Sequence, residues 1–259
     1  MRDTYGLSKL KSSDFKEIRA TYYGMAAKLD YQIGSLLSVL KQQGLYDNSL
    51  ILFTSDHGDF AGDYGLTEKW PNAMNDCLLK VPLIIRFPKL NSNTATIYQL
   101  TQSIDLFPTI LQLANIKTNY THYGKTLTDL IQGKEGRIHS EVFAEGGYDP
   151  REPQCYESHI GGIENNLSGI YFHKIQLAQD YPSSVCRTVM IRNEEFKLVL
   201  KSMEQEINEF YDLKKDPHET INQIKNSEYS SQIQEMKENL LRWYLKTSDN
   251  PHWEHIRSL

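Results

Sequence analysis

Between Thr54 and Lys69 the chain reads Thr-Ser-Asp-His-Gly-Asp-Phe-Ala-Gly-Asp-Tyr-Gly-Leu-Thr-Glu-Lys. Asp56, His57, Asp59 and Asp63 crowd potential cation ligands into this stretch, and Gly58, Gly62 and Gly65 let the backbone turn sharply between them. In a regular strand adjacent side chains point to opposite faces. Asp56 and His57 can therefore serve one ion only where the backbone leaves strand geometry. Asp56 is a hard oxygen donor suited to calcium, magnesium or manganese. His57 widens the choice toward manganese or zinc. Lys69 follows far enough on for a loop to fold back and set its ammonium against an anionic group. Spacing alone equally fits a plain strand-end loop, since Asp and Gly are common turn residues. Asp59 and Asp63 can each cap a turn or orient Lys69, and turn formation is the favoured reading.

The elements around this stretch must position it. Asp14 to Gln43 predicts a helix, with Asp14 as cap and Glu17 three residues on. Ile18, Tyr22, Met25, Leu29, Ile33, Leu36, Leu37 and Leu40 recur at spacings that share one face. Gly44 is the expected stop. Leu50 to Thr54 is a continuous apolar run, as expected of a parallel-sheet strand buried on both faces. In α/β folds ligands bind at the carboxyl ends of such strands. Val81 to Phe87 predicts a second apolar strand, and Asp105 to Ala114 a short helix that tolerates Pro108 in its first turn.

Composition shifts after about Gly133, and Gly146 to Pro182 reads as a long irregular excursion, a kind of loop that often carries specificity. Val189 to Ile191 and Phe196 to Leu200 predict a hairpin, with Ile207 to Leu213 as a third antiparallel strand. Ser227 to Leu245 predicts an amphipathic helix burying Ile233, Met236, Leu240, Leu241 and Tyr244. The sequence thus divides into 1–180, holding the chemistry, and 181–259, a small antiparallel sheet with a terminal helix.

A net charge of -5 argues against a nucleic-acid partner, whose footprint is a basic patch. No run approaches the roughly 18 apolar residues of a membrane span. Cys77, Cys155 and Cys186 are odd in number and widely spaced, which favours reduced thiols over a disulfide framework or a zinc site. His122, His139, His159 and His173 have no diagnostic spacing.

The order of these motifs resembles the sulfatase family of the alkaline-phosphatase superfamily. Tyr22-Tyr-Gly24 through Ile33-Gly34 resembles the helix before the family's metal strand. Asn48-Ser-Leu-Ile-Leu-Phe-Thr-Ser-Asp-His-Gly-Asp59 resembles that strand and its loop, and Gly62-Asp-Tyr-Gly-Leu66 with Lys69 resembles the substrate loop. Lys80-Val-Pro-Leu-Ile-Ile-Arg86, Ile104-Asp-Leu-Phe-Pro-Thr-Ile-Leu111 and the signature from Glu209 to Asn222 follow in family order.

The resemblance implies an α/β fold: a mixed sheet flanked by helices, present in part, with a small C-terminal antiparallel sheet plus helix. It implies a metal-dependent sulfuric ester hydrolase, with Asp56 and His57 as metal ligands and Lys69 as the catalytic sulfate-binding lysine. The implied cofactor is a divalent metal, calcium before manganese, magnesium or zinc. The implied partner is a sulfate-ester small molecule or sugar. A His at the position of His57 is also seen in phosphonate monoester hydrolase-like relatives, so phosphonate or phosphodiester hydrolysis is the alternative activity.

This chain departs from the family in two ways. Tyr64 stands where the family usually has His. No Cys or Ser lies in a Cys/Ser-x-Pro/Ala-x-Arg motif, from which the family makes its formylglycine nucleophile. Family members carry that motif, and a paired Asp-Asp, upstream of the helix at Asp14. The expectation is therefore a C-terminal portion that associates with an N-terminal half, or an inactive fragment, with its compartment unassigned.

Overall fold

The helix that precedes the chemistry-bearing strand runs from Ser12 to Gln42 (α1). Asp14 sits at the third helical position rather than at the cap. Its carboxylate accepts the Lys11 backbone N–H at 2.7 Å, which satisfies a donor that the first turn leaves free. Gly44 ends the helix as expected, at φ 67°, where a side chain would be strained. Leu45 N–H reaches back to the Leu40 carbonyl at 2.9 Å. The structure is a computed structural model and describes residues 7–88, 96–117, 122–134, 136–149, 177–204 and 206–248.

The chain divides into two compact units that interleave in sequence: 1–94 with 146–187, and 95–145 with 188–259. The division expected from sequence, 1–180 and 181–259, is a single cut.

In the first unit, α1 leads through a short turn to β1 (Ile51–Thr54). β1 pairs antiparallel with β2 (Leu83–Arg86), Ile51 opposite Arg86 and Thr54 opposite Leu83. The expectation of a parallel, doubly buried β1 is corrected here. Among the described residues this sheet has two strands, and no residue of either is fully buried. A short apolar run does not encode which layers will cover it.

The apolar face of α1 is likewise only partly used. Phe15, Ile18, Tyr22, Ile33, Leu37 and Leu40 are half-buried, while Met25, Leu29 and Leu36 are exposed. Arg86 ties β2 to the exit of α1. Its guanidinium lies 3.8 Å from the Tyr46 ring centroid and donates to the Tyr46 and Ser49 carbonyls at 2.7 and 3.1 Å. The core of this unit gathers Phe60, Trp70, Leu78 of the short α2 (Asp76–Leu79), Leu177, Ala178 and Val185.

The second unit opens with a 3-10 turn at Ser103–Asp105 running into α3 (Leu106–Leu113), followed by α4 (Thr128–Ile131). A four-stranded open sheet has the order β3 (Val142–Gly146), β4 (Thr188–Arg192), β5 (Phe196–Lys201), β6 (Glu209–Asp212). β4, β5 and β6 are antiparallel, with Met190 opposite Val199 and Leu198 opposite Phe210, as the hairpin reading expected. β3 was not expected.

The last helix, α5 (Ser230–Thr247), buries Ile233, Met236 and Leu240 against Ile191, Leu198, Phe210 and Tyr229. Leu241 and Tyr244, expected on the buried face, are exposed. Leu241 lies one position beyond the Met236–Leu240 stripe, toward solvent; Tyr244 lies on the stripe but in the last turn of the helix. Tyr244 instead donates its hydroxyl to Glu145 at 3.1 Å. The fold is thus a mixed α/β arrangement of helices and open sheets. No described helix is long and apolar enough to cross a membrane. Cys77 is half-buried, and Cys186 is buried with its Sγ accepting from Asn72 Nδ2 at 3.7 Å. Cys155 and most of the Gly146 to Pro182 excursion lie outside the described residues.

Candidate active site

The backbone leaves strand geometry directly after Thr54, where β1 ends. Ser55 enforces the departure: its hydroxyl donates to the His57 carbonyl at 2.8 Å and reaches Asp56 Oδ1 at 3.3 Å. Gly58 completes it. A Cβ there would stand 2.1 Å from the Cys77 carbonyl oxygen, and Gly58 N–H donates to the Leu78 carbonyl at 2.8 Å. Only glycine admits so close a backbone approach.

The result brings Asp56, His57 and Lys69 together. Asp56 Oδ1 accepts the His57 backbone N–H at 2.9 Å, and Oδ2 lies 3.5 Å from His57 Nε2. His57 Nδ1 lies 2.9 Å from the Gly58 carbonyl, an acceptor only. A carbonyl oxygen only accepts, so the neutral ring bonded there carries its proton on Nδ1 and turns its Nε2 lone pair outward. Lys69 Nζ meets that lone pair at 2.7 Å. The His57 backbone N–H, and then the imidazole beside it, hold the Asp56 carboxyl below the usual carboxylate range. The Asp56 side chain is 82 % exposed, so the group opens to solvent.

This arrangement fits a divalent cation in part. Asp56 Oδ2 and His57 Nε2 are two ionised or lone-pair donors at a separation one ion can bridge. Calcium takes six to eight ligands, roughly, so more donors are required. Among the described residues no group of three or more His, Cys, Asp or Glu converges. The Lys69 ammonium, now at Nε2, would turn toward an anion when an ion is held there.

The remaining carboxylates have other partners. Asp59 Oδ1 accepts the Lys69 backbone N–H at 2.9 Å. Asp63 Oδ1 pairs with Arg19 Nη2 at 2.6 Å, and Arg19 Nε donates to the Ala61 carbonyl. Neither Arg19 nor Ser55 was singled out from sequence. Arg19 lies 44 residues from Asp63, on a different element, and no spacing rule links them. Tyr64 has φ 54° and sets its ring edge-on to Phe60. His139 is buried against Asp105 and His122 lies at the Gly124 carbonyl, so neither joins the group. His159 and His173 lie outside the described residues.

Comparison with known proteins adds independent support for the lineage. Residues 3–116 match the family profile described as Sulfatase. Residues 62–178 and 165–246 match N-sulphoglucosamine sulphohydrolase, C-terminal. The chain is 29% identical over 256 residues to the multifunctional alkaline phosphatase superfamily protein PehA of Trinickia caryophylli, covering 96% of this chain and 44% of that protein. It is 26% identical over 241 residues to N-acetylglucosamine-6-O-sulfatase of Bacteroides thetaiotaomicron, covering 93% and 38%. The crystal structure of phosphonate monoester hydrolase of Agrobacterium radiobacter superposes with a TM-score of 0.73 at 27% identity, covering 93% of this chain and 46% of that one. The chain spans less than half the length of these relatives.

Proposed function

Because this chain belongs to the sulfatase family of the alkaline-phosphatase superfamily, we propose that it forms the anion- and metal-facing part of a sulfuric ester hydrolase. One observation carries the reading: Asp56, His57 and Lys69 converge at the carboxyl end of β1.

In this reading Asp56 and His57 hold a divalent cation, calcium by preference, which when bound supplies Lewis-acid polarisation of a sulfuryl oxygen. The Gly58 carbonyl keeps the His57 proton on Nδ1, so that Nε2 stays a donor to the ion. Lys69 neutralises charge on the sulfuryl oxygens, an electrostatic role that strengthens as charge develops in the transition state. The nucleophile is absent from this chain, which contains no Cys/Ser-x-Pro/Ala-x-Arg motif. This reading therefore assigns the nucleophile to no residue of this sequence. Sulfated amino sugars are the favoured substrate class, given the names of the matching relatives and profile.

Calcium titration of the 259-residue chain, followed by NMR, tests the metal assignment. Asp56 and His57 signals should move together in the wild type and stay fixed in Asp56→Asn. Shifts confined to other residues would overturn it. The alternative, phosphonate or phosphodiester hydrolysis, is favoured by the likeness to the phosphonate monoester hydrolase. Relative turnover of sulfate and phosphonate esters by the assembled enzyme separates the two.

A further inference from the structure

The reading of Lys69 as an anion contact leaves open what holds this exposed lysine in place. A lysine side chain is long and loses several rotamers when fixed. An anchored backbone narrows the positions its ammonium can take.

The loop from Asp59 to Lys69 is anchored at its neck. Phe60 and Trp70, the residues just inside one end and just beyond the other, are both buried in one core, with Leu66 packed against them. Trp70 Nε1 donates to the Ser184 carbonyl at 2.5 Å. Across the loop, Ala61 N–H donates to the Thr67 carbonyl at 3.0 Å and Gly62 N–H to the Leu66 carbonyl at 2.7 Å. The tip is strained: Ala61 and Tyr64 take φ of 46° and 54° without being glycine. Such residues cost on the order of 1–3 kcal/mol each and persist only where the surroundings over-determine them. At the neck a side chain continues the pairing, because the Asp59 carboxylate accepts the Lys69 N–H.

We propose that Asp59 is the positioning residue for Lys69. Its Oδ1 fixes the Lys69 backbone, and that keeps the ammonium beside the Asp56–His57 pair, within reach of an anion bound there. The role needs an acceptor oxygen on a one-carbon stem and does not need a charge. Asn therefore preserves it and Ala removes it. A metal ligand would behave oppositely toward Asn, since a neutral amide is a much poorer donor to a cation than a carboxylate.

The test uses the whole chain with Asp59→Asn, Asp59→Ala and Asp59→Leu, which gives a second acceptor-free side chain should the alanine variant fold poorly. The first readout is Lys69 amide hydrogen exchange. It should stay near the wild-type rate in D59N and accelerate about tenfold in D59A and D59L, the scale of one lost hydrogen bond. The second is affinity for inorganic sulfate, which should fall several-fold in D59A and D59L and hold in D59N. Wild-type exchange and sulfate affinity in both acceptor-free variants would overturn the proposal. So would a D59N variant as impaired as D59A, which would assign Asp59 a charge-dependent role. Lys69→Ala is the control on the underlying reading. If it binds sulfate as the wild type does, the anion role of Lys69 fails, while the exchange rates still decide whether Asp59 positions it.

Discussion

His139 Nε2 lies 2.9 Å from Asp105 Oδ2, with both side chains buried in the second unit. The same carboxylate accepts the backbone N–H of Gln102 and of Lys125, each at 2.8 Å. One aspartate thus organises the entry to α3, the segment at Lys125 and the approach to β3. Removing a buried, multiply bonded acceptor leaves its donors unpaired. Asp105→Ala should lower stability by about 3 kcal/mol. Denaturant titration would check this, and a loss under about 1 kcal/mol would show that the three donors find other partners.

Leu198 lies on β5, fully buried between Ile191, Phe210 and α5. Leu198→Ala removes methylenes from a closed core. The expected loss is about 2–5 kcal/mol. Leu241→Ala on α5 serves as contrast, because that side chain is 60% exposed. It should change stability by about 0.5 kcal/mol or less. Equal losses in the two variants would contradict the burial described here.

Asp216 accepts the backbone N–H groups of Thr220 and Ile221 at 2.7 Å and the Thr220 hydroxyl at 2.9 Å. Burial opposes its ionisation, but the Ile221 N–H and the Thr220 contacts outweigh it and hold its carboxyl below the usual range. Asp212 is depressed in the same way: burial is outweighed by the Tyr229 hydroxyl and the Lys215 backbone N–H. A depressed carboxyl stabilises the fold above its unfolded pKa and loses that contribution as pH falls through the folded value. Stability should therefore decline below about pH 4. The stability gap between wild type and Asp216→Asn should be wide at pH 6 and narrow near pH 2. Urea midpoints at the two pH values measure it, and a gap independent of pH would contradict the prediction.

Gly58 has the Cys77 carbonyl where a Cβ would go. Gly58→Ala must push apart two backbone segments that flank His57. The expected cost is about 1–3 kcal/mol, with displacement of the imidazole. A thermal melt gives the first, and the His57 ring signals in an NMR spectrum give the second. Unchanged ring signals would mean that the segment yields at Cys77 instead.

Much of this was legible in the sequence because local chemistry encodes it. The helix ending at Gly44, the β4–β5–β6 meander and the Asp56–His57–Lys69 convergence follow from turn residues, apolar runs and a loop of fixed length. What was not legible depends on partners distant in sequence. The partial burial of β1 depends on which layers cover it. β3 offers only a short apolar run, Val142-Phe-Ala, before two glycines, and it becomes a strand by lying beside β4. Arg19 reached the loop from α1 with no motif to announce it. Leu241 carried the right residue type on a face one step from the buried stripe.

The interleaving of the two units has a consequence in time. Residues 142–146 form an edge of a sheet whose other strands begin at Thr188, after the first unit has taken its own second segment from the intervening chain. During synthesis both segments of the first unit in this sequence have emerged by residue 187, while β3 waits for β4 to β6. Closing such long loops before any contact rewards them makes folding slow. Until then Val142 and Phe143 stand unpaired, and in that interval a chaperone or a neighbouring nascent chain has its best access to them.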